Sequence, residues 1–188
     1  MNKIFFTSDH HFGHKNIIKF CNRPFDSIDE MNEELISRWN AKIGPNDEVY
    51  HLGDFALCTT TEFTDIISRL NGTIHLISGN HDGTAMSNRK VFKWIKDYFE
   101  LKVKDDECAN GVQRIILFHY AMRVWRGDSR GTWHLYGHSH STLPDKEHKL
   151  AFDIGVDCHD FYPLSYDEVK AIMKKKNWVP PFQDRDAI

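Results

Sequence analysis

Residues 4–11 read Ile-Phe-Phe-Thr-Ser-Asp-His-His, a short apolar run that passes directly into side chains able to bind a metal ion. Four further runs, rich in Ile, Val, Phe and Tyr, end in the same way. They are 48–52 before Gly53-Asp54, 73–77 before Gly79-Asn80-His81-Asp82, 113–118 before His119, and 132–136 before Gly137-His138-Ser139-His140. We predict five strands, each followed by a polar cluster.

Segments of helical period separate several of these runs, which is typical of an α/β protein. We predict four helices in the intervening sequence. They are marked by the capping pair Ser27 and Glu30, by Phe63, Ile66, Ile67 and Leu70, by the apolar residues of 88–99, and by the capping pair Ser165 and Glu168. Additional β-structure is expected over 100–103 and 150–156, and an extended tail from residue 177.

The length of 188 residues predicts a single domain over 1–188, with no linker and no inserted cap domain. A formal charge of -3 argues against a broad basic surface for duplex nucleic acid. The sequence shows neither the apolar core of a signal peptide nor a membrane-spanning run, and its four cysteines form no Cys-x-x-Cys pair. We therefore expect a cytoplasmic protein with no membrane association and no obligate protein partner.

The polar clusters share one position, immediately after a predicted strand. Because ligands bind at the carboxyl ends of strands in α/β sheets, the five clusters are expected to converge on one pocket. In an extended segment, residues i and i+2 point the same way, which pairs Asp9 with His11 and His138 with His140. Asp54 can bridge two cations through its carboxylate. Asp, Asn and His are the donors that suit divalent metals.

The motifs Asp-x-His, Gly-Asp, Gly-Asn-His-Asp, His and Gly-His-x-His, in this order from Asp9 to His140, resemble the calcineurin-like metallophosphoesterase superfamily. The region of residues 154–157 and that of 163–168 resemble the ends of its compact bacterial and phage phosphodiesterases. Five motifs in order, each after a strand, are far more specific than any one alone. The resemblance implies an α/β fold of two facing mixed β-sheets, a β-sandwich, flanked by helices.

The resemblance also implies two bound divalent cations. One would be held by Asp9, His11, Asp54 and His140, and the other by Asp54, Asn80, His119 and His138. This donor set accepts Mn²⁺, Fe²⁺, Zn²⁺, Co²⁺ or Ni²⁺, of which Mn²⁺ is the first choice. Metal-bound hydroxide is then the expected nucleophile.

His81 is the expected proton donor to the leaving alkoxide, because imidazole holds a proton near neutral pH and the His of Gly-Asn-His has this role in the resembled family. Asp82 or Asp54 is expected to orient its ring. The alternative is a histidine that only supports the ligands.

Three further residues are candidates for substrate binding. His14 is expected either to contact a substrate phosphate or to cap a short helix. Arg23 offers a bidentate phosphate contact or an ion pair. Arg126 lies in 123–133, where Arg and Trp alternate; this segment is either a loop that stacks a base and pairs with phosphate, or a surface loop with its tryptophans packed beneath it.

Gly53-Asp54 is followed by Phe-Ala-Leu, and not by the Asp-Arg-Gly of the Ser/Thr protein phosphatases in this superfamily, which disfavours protein dephosphorylation. The lack of an inserted cap favours an open site and a small or extended phosphodiester, such as a nucleotide or a nucleic-acid end. Phosphomonoesterase and nuclease activities are the alternatives of the same chemistry. A non-catalytic metal-binding interaction scaffold is the alternative of another class.

Overall fold

Two β-sheets form the centre of the fold in the computed structural model, which describes residues 2–108 and 110–181. The first sheet contains β1 (Ile4–Thr7), β2 (Glu48–His51), β3 (Thr73–Ile77), β4 (Trp94–Lys96) and β9 (Leu164–Ser165). Its order is β4-β3-β2-β1-β9, with β9 antiparallel to β1 and the others parallel. The second contains β5 (Tyr98–Lys104), β6 (Val112–Phe118), β7 (Trp133–Tyr136) and β8 (Ala151–Asp153), in the order β5-β6-β7-β8 with only β5 antiparallel.

Five α-helices accompany the sheets in the described part of the chain. They are α1 (Ile17–Phe20), α2 (Ile28–Lys42), α3 (Thr60–Ser68), α4 (Gly83–Ser87) and α5 (Tyr166–Lys174). The expected α/β fold of two mixed sheets flanked by helices is confirmed. No helix among the described residues is both long enough and apolar enough to cross a membrane.

The core lies on both faces of the first sheet. Phe6 of β1 points into the space between the two sheets, where it joins Leu117 of β6 and Leu135 of β7. Its neighbour Phe5 points the other way and packs with Trp39 of α2. Strands buried on both faces carry apolar residues at successive positions, and residues 4–6 of β1 form such an uninterrupted apolar run.

The outer face of the second sheet is covered differently. Ile116, Tyr136 and Ala151 form a small buried cluster there with Trp125, which comes from the loop between β6 and β7. The Trp125 indole N–H donates to the backbone carbonyl of Thr132 at 2.8 Å, which fastens this loop onto the sheet.

Two details of the helix predictions are wrong. The third predicted helix, over 88–99, is instead a short 3-10 turn followed by β4 and the start of β5. Trp94 packs between the sheets and Ile95 packs on the opposite face, so the strand is apolar on both sides and its spacing imitates a helical period. At the start of α2, Ser27 accepts the expected hydrogen bond from the Glu30 amide, but the Glu30 carboxylate accepts from Asp26 and leaves the capping box incomplete.

The remaining predictions differ in detail. The capping box of Ser165 and Glu168 at the start of α5 is complete. The expected β-structure over 150–156 is shorter, since β8 ends at Asp153 and a 3-10 turn follows. The expected tail has no regular structure over 177–180, and 182–188 lie outside the described residues.

Candidate metal centre

The polar clusters meet where the parallel strands of both sheets end. Two groups made of predicted ligands form there among the described residues, and within each group the ligand atoms lie within 4.8 Å of one another; Cys21, His140 and Asp157 form a third such cluster. The first group is Asp9, His11 and His140, and the second is Asp54, His119 and His138. Each group combines residues that follow a strand of the first sheet with residues that follow a strand of the second.

Asp54 links the two groups through a single oxygen. Its Oδ2 lies 3.5 Å from His11 Nε2 and 3.6 Å from His119 Nε2. Its Oδ1 accepts a hydrogen bond of 2.8 Å from the backbone N–H of His81. Burial alone raises the pKa of this carboxyl, but the neighbouring histidines, His119 foremost, hold it below the ordinary value, so Asp54 is ionised at neutral pH. One negatively charged oxygen therefore faces both groups.

Hydrogen bonds at Nδ1 leave Nε2 of two ligand histidines available. His119 Nδ1 donates to the Leu52 carbonyl at 2.7 Å, and His140 Nδ1 donates to Asp157 at 2.7 Å. This arrangement fixes the tautomer in which Nε2 carries the lone pair, as metal-binding histidines require.

His11 provides the test of whether a cation fits. Its Nε2 is buried and has no hydrogen-bond partner, while its Nδ1 lies 3.2 Å from Nδ1 of His14. Burial lowers the pKa of His11 to about 2, so the ring is neutral and can offer a lone pair. A buried polar atom without a partner is costly, and a cation between His11, Asp54 and Asp9 would satisfy it.

The predicted fourth ligand of the second group lies beside it. The side-chain oxygen of Asn80 is 3.2 Å from His119 Nε2 and 3.4 Å from the hydroxyl of Tyr120. Asn80 and His138 are exposed, so the second group opens towards solvent.

The backbone at the ligands is strained. Five of the seven predicted ligands have a positive φ: Asp9 at 59°, His11 at 53°, Asp54 at 54°, His138 at 67° and His140 at 44°. Such conformations cost on the order of 1–3 kcal/mol each for residues with a side chain, and they concentrate at functional sites. The expectation that Asp9 and His11, and likewise His138 and His140, are paired by an extended backbone is therefore wrong, because left-handed turns bring them together.

Two glycines make room for these ligands. At Gly53, where φ is +98°, an added Cβ would lie 2.5 Å from His119 Nδ1. At Gly137 an added Cβ would overlap the Ser8 hydroxyl and the Asp9 carboxylate. The Gly of Gly-Asp and the Gly of Gly-His-x-His are thus required by close packing against the ligands.

The Asp82 side chain accepts hydrogen bonds from backbone amides and does not contact the His81 ring through a hydrogen bond. Its buried carboxylate accepts from the amides of Asp54 at 3.0 Å, Phe55 at 2.7 Å and Gly79 at 2.7 Å. The expected catalytic role beside His81 does not match this arrangement, because the carboxylate is occupied by three amides. Asp82 instead fixes the loop after β2 to the loop after β3.

His81 and His14 lie next to the first group. The centre of the His81 ring is 5.4 Å from that of His11 and 5.9 Å from that of His14. The His14 ring is hydrogen-bonded to His11, and the contact of His14 with α1 is through its backbone carbonyl, which accepts from the Ile17 amide at 3.0 Å. Burial, followed by the charge of His81, lowers the pKa of His14, so this ring is neutral at neutral pH.

Arg23 is buried beneath the ligand loops and does not face a substrate. Its guanidinium donates two hydrogen bonds of 2.8 Å to Asp157 and others to the carbonyls of Asp9 and His10. The ion-pair alternative therefore holds, and the phosphate contact expected of Arg23 is wrong because its donors are occupied.

Arg126 also lies apart from the candidate ligands. It pairs at 3.0 Å with Glu100, on the outward-facing side of β5, a strand that supplies no ligand. Trp125 and Trp133 are buried, as expected for a surface loop with packed tryptophans, whereas Val124 of the same loop is exposed.

Asp157 is the functional residue that sequence reasoning misses. It lies in the 3-10 turn after β8, where it binds both Arg23 and the His140 ring. Burial lowers the pKa of His140, but the hydrogen bond to Asp157, with smaller contributions from Cys21 and the charge of Asp9, raises it to about 10 in the metal-free protein. The available signal is its position, since Asp157 follows one more strand of the second sheet.

The sequence profile of the calcineurin-like phosphoesterase superfamily domain matches residues 3–153, which include every candidate ligand. The chain belongs to the calcineurin-like phosphoesterase superfamily. Members of this superfamily are in general metal-dependent phosphoesterases, and the two Asp and His groups fit that description.

Several relatives match this chain over most of its length. An uncharacterised protein of Methanocaldococcus jannaschii is 31% identical over 191 residues, which cover 98% of each chain. The gene 66 protein of Mycobacterium phage L5 is 28% identical over 182 residues, covering 84% of this chain and 87% of the phage protein. The crystal structure of a protein of unknown function from Aquifex aeolicus has the same fold, with a TM-score of 0.69 at 23% identity, covering 92% of this chain and all of that one.

Proposed function

We propose that this protein is a phosphodiesterase that hydrolyses nucleotide-type phosphodiesters with two divalent cations, Mn²⁺ being the first candidate. The observation that carries the proposal is the position of Asp54, whose Oδ2 faces both ligand groups while its Oδ1 is held by an amide. A carboxylate oxygen shared in this way is what a pair of adjacent cations needs.

The ligands divide into two sets around Asp54. Asp9, His11 and His140 would hold one cation with it, and Asn80, His119 and His138 the other. When bound, the two cations would lower the pKa of a coordinated water and neutralise negative charge on the phosphoryl oxygens. The protein's part is to fix the ligands, which the hydrogen bonds at His119 and His140 accomplish.

We propose that His81 donates the proton that the leaving group needs. Its backbone N–H donates a hydrogen bond to Asp54 Oδ1, which fixes the position of His81 relative to Asp54. The His81 ring lies beside the rings of His11 and His14. A half-buried imidazole at this position can donate a proton to a departing alkoxide.

Charge favours a diester over a monoester. A monoester dianion carries one more negative charge than a diester, and arginine is the side chain best suited to hold it. Arg23 is committed to Asp157 and to backbone carbonyls, and His14 is neutral at neutral pH. The exposure of Asn80 and His138 also leaves room for groups on both sides of a diester phosphorus.

The test compares bis(p-nitrophenyl) phosphate with p-nitrophenyl phosphate on protein reconstituted with Mn²⁺. We expect a higher kcat/KM for the diester and a loss of about 100-fold or more in Asp54→Asn. Asp106→Asn, the same change at an exposed site, is the matched control and should retain activity.

The outcomes separate the alternatives. Faster hydrolysis of the monoester would establish a phosphomonoesterase instead. Tight binding of two metal ions without hydrolysis of either ester would identify a non-catalytic scaffold.

A further inference from the structure

A pocket of about 620 Å³ lies over the outer face of the second sheet. One wall is formed by residues 121–125 and the other by residues 143–149, with Tyr136 and Ala151 at the base. We call it the outer pocket. Its volume falls in the range of sites that enclose a small organic ligand or a nucleotide.

Both walls begin close to candidate metal ligands. The first starts at Ala121, two residues after His119, and the second at Leu143, three residues after His140. Tyr136 at the base is two residues before His138. Three short stretches of chain therefore connect the lining of the outer pocket to candidate ligands at the carboxyl ends of β6 and β7.

The lining combines apolar and positively charged side chains. Val124 and Leu143 are exposed in the walls, and Trp125 and Tyr136 contribute aromatic surface at the base. The charged side chains of the described lining are all basic: Arg123, Lys146 and Lys149. None of these three forms an ion pair with a carboxylate among the described residues, and the Lys149 ammonium lies 5.6 Å from the centre of the Trp125 ring.

We propose that the outer pocket binds the nucleoside next to the scissile phosphate of a single-stranded oligonucleotide, with its following phosphate against Arg123 and Lys146. This inference rests on the proposed phosphodiesterase function and narrows its substrate. The flat apolar nucleobase matches the apolar walls of the outer pocket, and the flanking phosphate matches its basic rim. Proteins that bind single-stranded nucleic acid without sequence preference combine apolar and basic surfaces in this way. A diester with small groups on the phosphorus would not reach this pocket.

The first test measures binding, and not turnover, on Mn²⁺-loaded protein. The probe is a fluorescent octathymidylate with phosphorothioate linkages, which resist hydrolysis, followed by anisotropy over a salt series. Arg123→Ala/Lys146→Ala is expected to lower affinity roughly 2- to 30-fold, as loss of two exposed charge contacts should. The slope of log K against log salt should fall by about 1.4 in magnitude, since each contact with a single strand contributes about 0.7.

Lys90→Ala/Lys93→Ala is the matched control. Both lysines are exposed, and Lys93 lies at the amino end of β4, at the opposite end of the strands from the metal centre. It should bind the octathymidylate as the natural protein does. A backbone of the same length and charge without bases should bind the natural protein roughly 5-fold more weakly or worse, because it has no base to pack in the pocket.

Kinetics distinguish a failure of this inference from a failure of the proposed function. Arg123→Ala/Lys146→Ala should raise KM for an ordinary octathymidylate and leave kcat/KM for bis(p-nitrophenyl) phosphate unchanged. The inference is overturned if the pocket variant binds as the control does, or if the base-free backbone binds equally well; an occupant of other chemistry, such as an acidic peptide, would then remain. Absence of hydrolysis of bis(p-nitrophenyl) phosphate by the natural protein would instead refute the phosphodiesterase function, with the binding result still readable.

Discussion

Asp157→Asn is expected both to weaken metal binding and to destabilise the protein. The Asp157 side chain is 7% exposed, accepts two hydrogen bonds of 2.8 Å from Arg23 and accepts one of 2.7 Å from the His140 ring. Asn keeps the shape but removes the charge, which leaves a buried guanidinium without its carboxylate. Removing one partner of a buried ion pair costs about 3–5 kcal/mol. We expect the lower end, about 3 kcal/mol, because Arg23 also donates to the carbonyls of Asp9 and His10.

Two measurements read the effect of Asp157→Asn. In a chain of this length, about 3 kcal/mol lowers Tm by roughly 10 °C, which differential scanning calorimetry of the metal-free protein detects. Loss of the carboxylate behind a histidine ligand lowers metal affinity by about 10- to 100-fold, which a competition titration with a chelator measures. Asp106→Asn, at an exposed position, should change neither quantity.

The pH dependence provides the result that would refute this reasoning. In the metal-free protein burial lowers the pKa of His140, but the hydrogen bonds to Asp157 and Cys21, together with the charges of Asp9 and Asp157, raise it from the ordinary 6.5 to about 10. The stability from this pair is fully present below pH 6.5 and is lost as the pH rises through 10. Asp157→Asn should flatten that dependence. If the variant keeps the same slope between pH 6.5 and 10, Asp157 does not act on His140 as described.

Three further changes probe other parts of the site. Burial raises the pKa of Asp9 to about 7, so its carboxyl must lose a proton to bind a cation, as must His140 with its pKa of about 10. Metal affinity should therefore rise with pH more steeply below pH 7, where both groups release a proton, than between pH 7 and 10. Calorimetry in two buffers measures the proton release, and a pH-independent affinity would contradict the prediction. His81→Asn should lower kcat about 10²- to 10⁴-fold for esters with alkoxide leaving groups. The loss should be far smaller for nitrophenyl esters, because nitrophenolate departs without needing a proton. Equal losses for both kinds of ester in steady-state assays would exclude His81 as the general acid. Gly137→Ala, whose Cβ would overlap the Asp9 carboxylate, should cost about 1–3 kcal/mol in urea unfolding and reduce the number of bound metal ions, whereas normal metal content would show that the loop adapts.

The sequence predicted the strands and the ligands that follow them, because each buried apolar run ends where a functional polar cluster begins. The bounds of β1 and β3 agree with the apolar runs, since both faces of the first sheet are covered and the run stops where the polar cluster starts. The same property made 88–99 misleading. Trp94 and Ile95 pack on opposite faces of an edge strand, and only the tertiary structure separates that arrangement from a helix.

The supporting residues of the site were not accessible in this way. Asp82 holds three amides from two loops, and Asp157 holds a histidine 17 positions earlier in the chain, so neither contact follows from local spacing. The left-handed conformations of Asp9 and His11 likewise depend on the loop after β2, whose carbonyls accept from their amides. Order and residue type predicted which side chains meet, and long-range hydrogen bonds determine how they are held.

Each group of ligands takes members from both sheets, and this has a consequence for how the molecule is assembled. Asp9 and His11 follow the first sheet whereas His140 follows the second, and Asp54 stands opposite His119 and His138 in the same way. Cations bound there would cross-link the two sheets, because each would be held by ligands from both. Stability gained by mass action would therefore increase with free metal concentration, and a chelator should loosen the docking of one sheet on the other as well as remove activity.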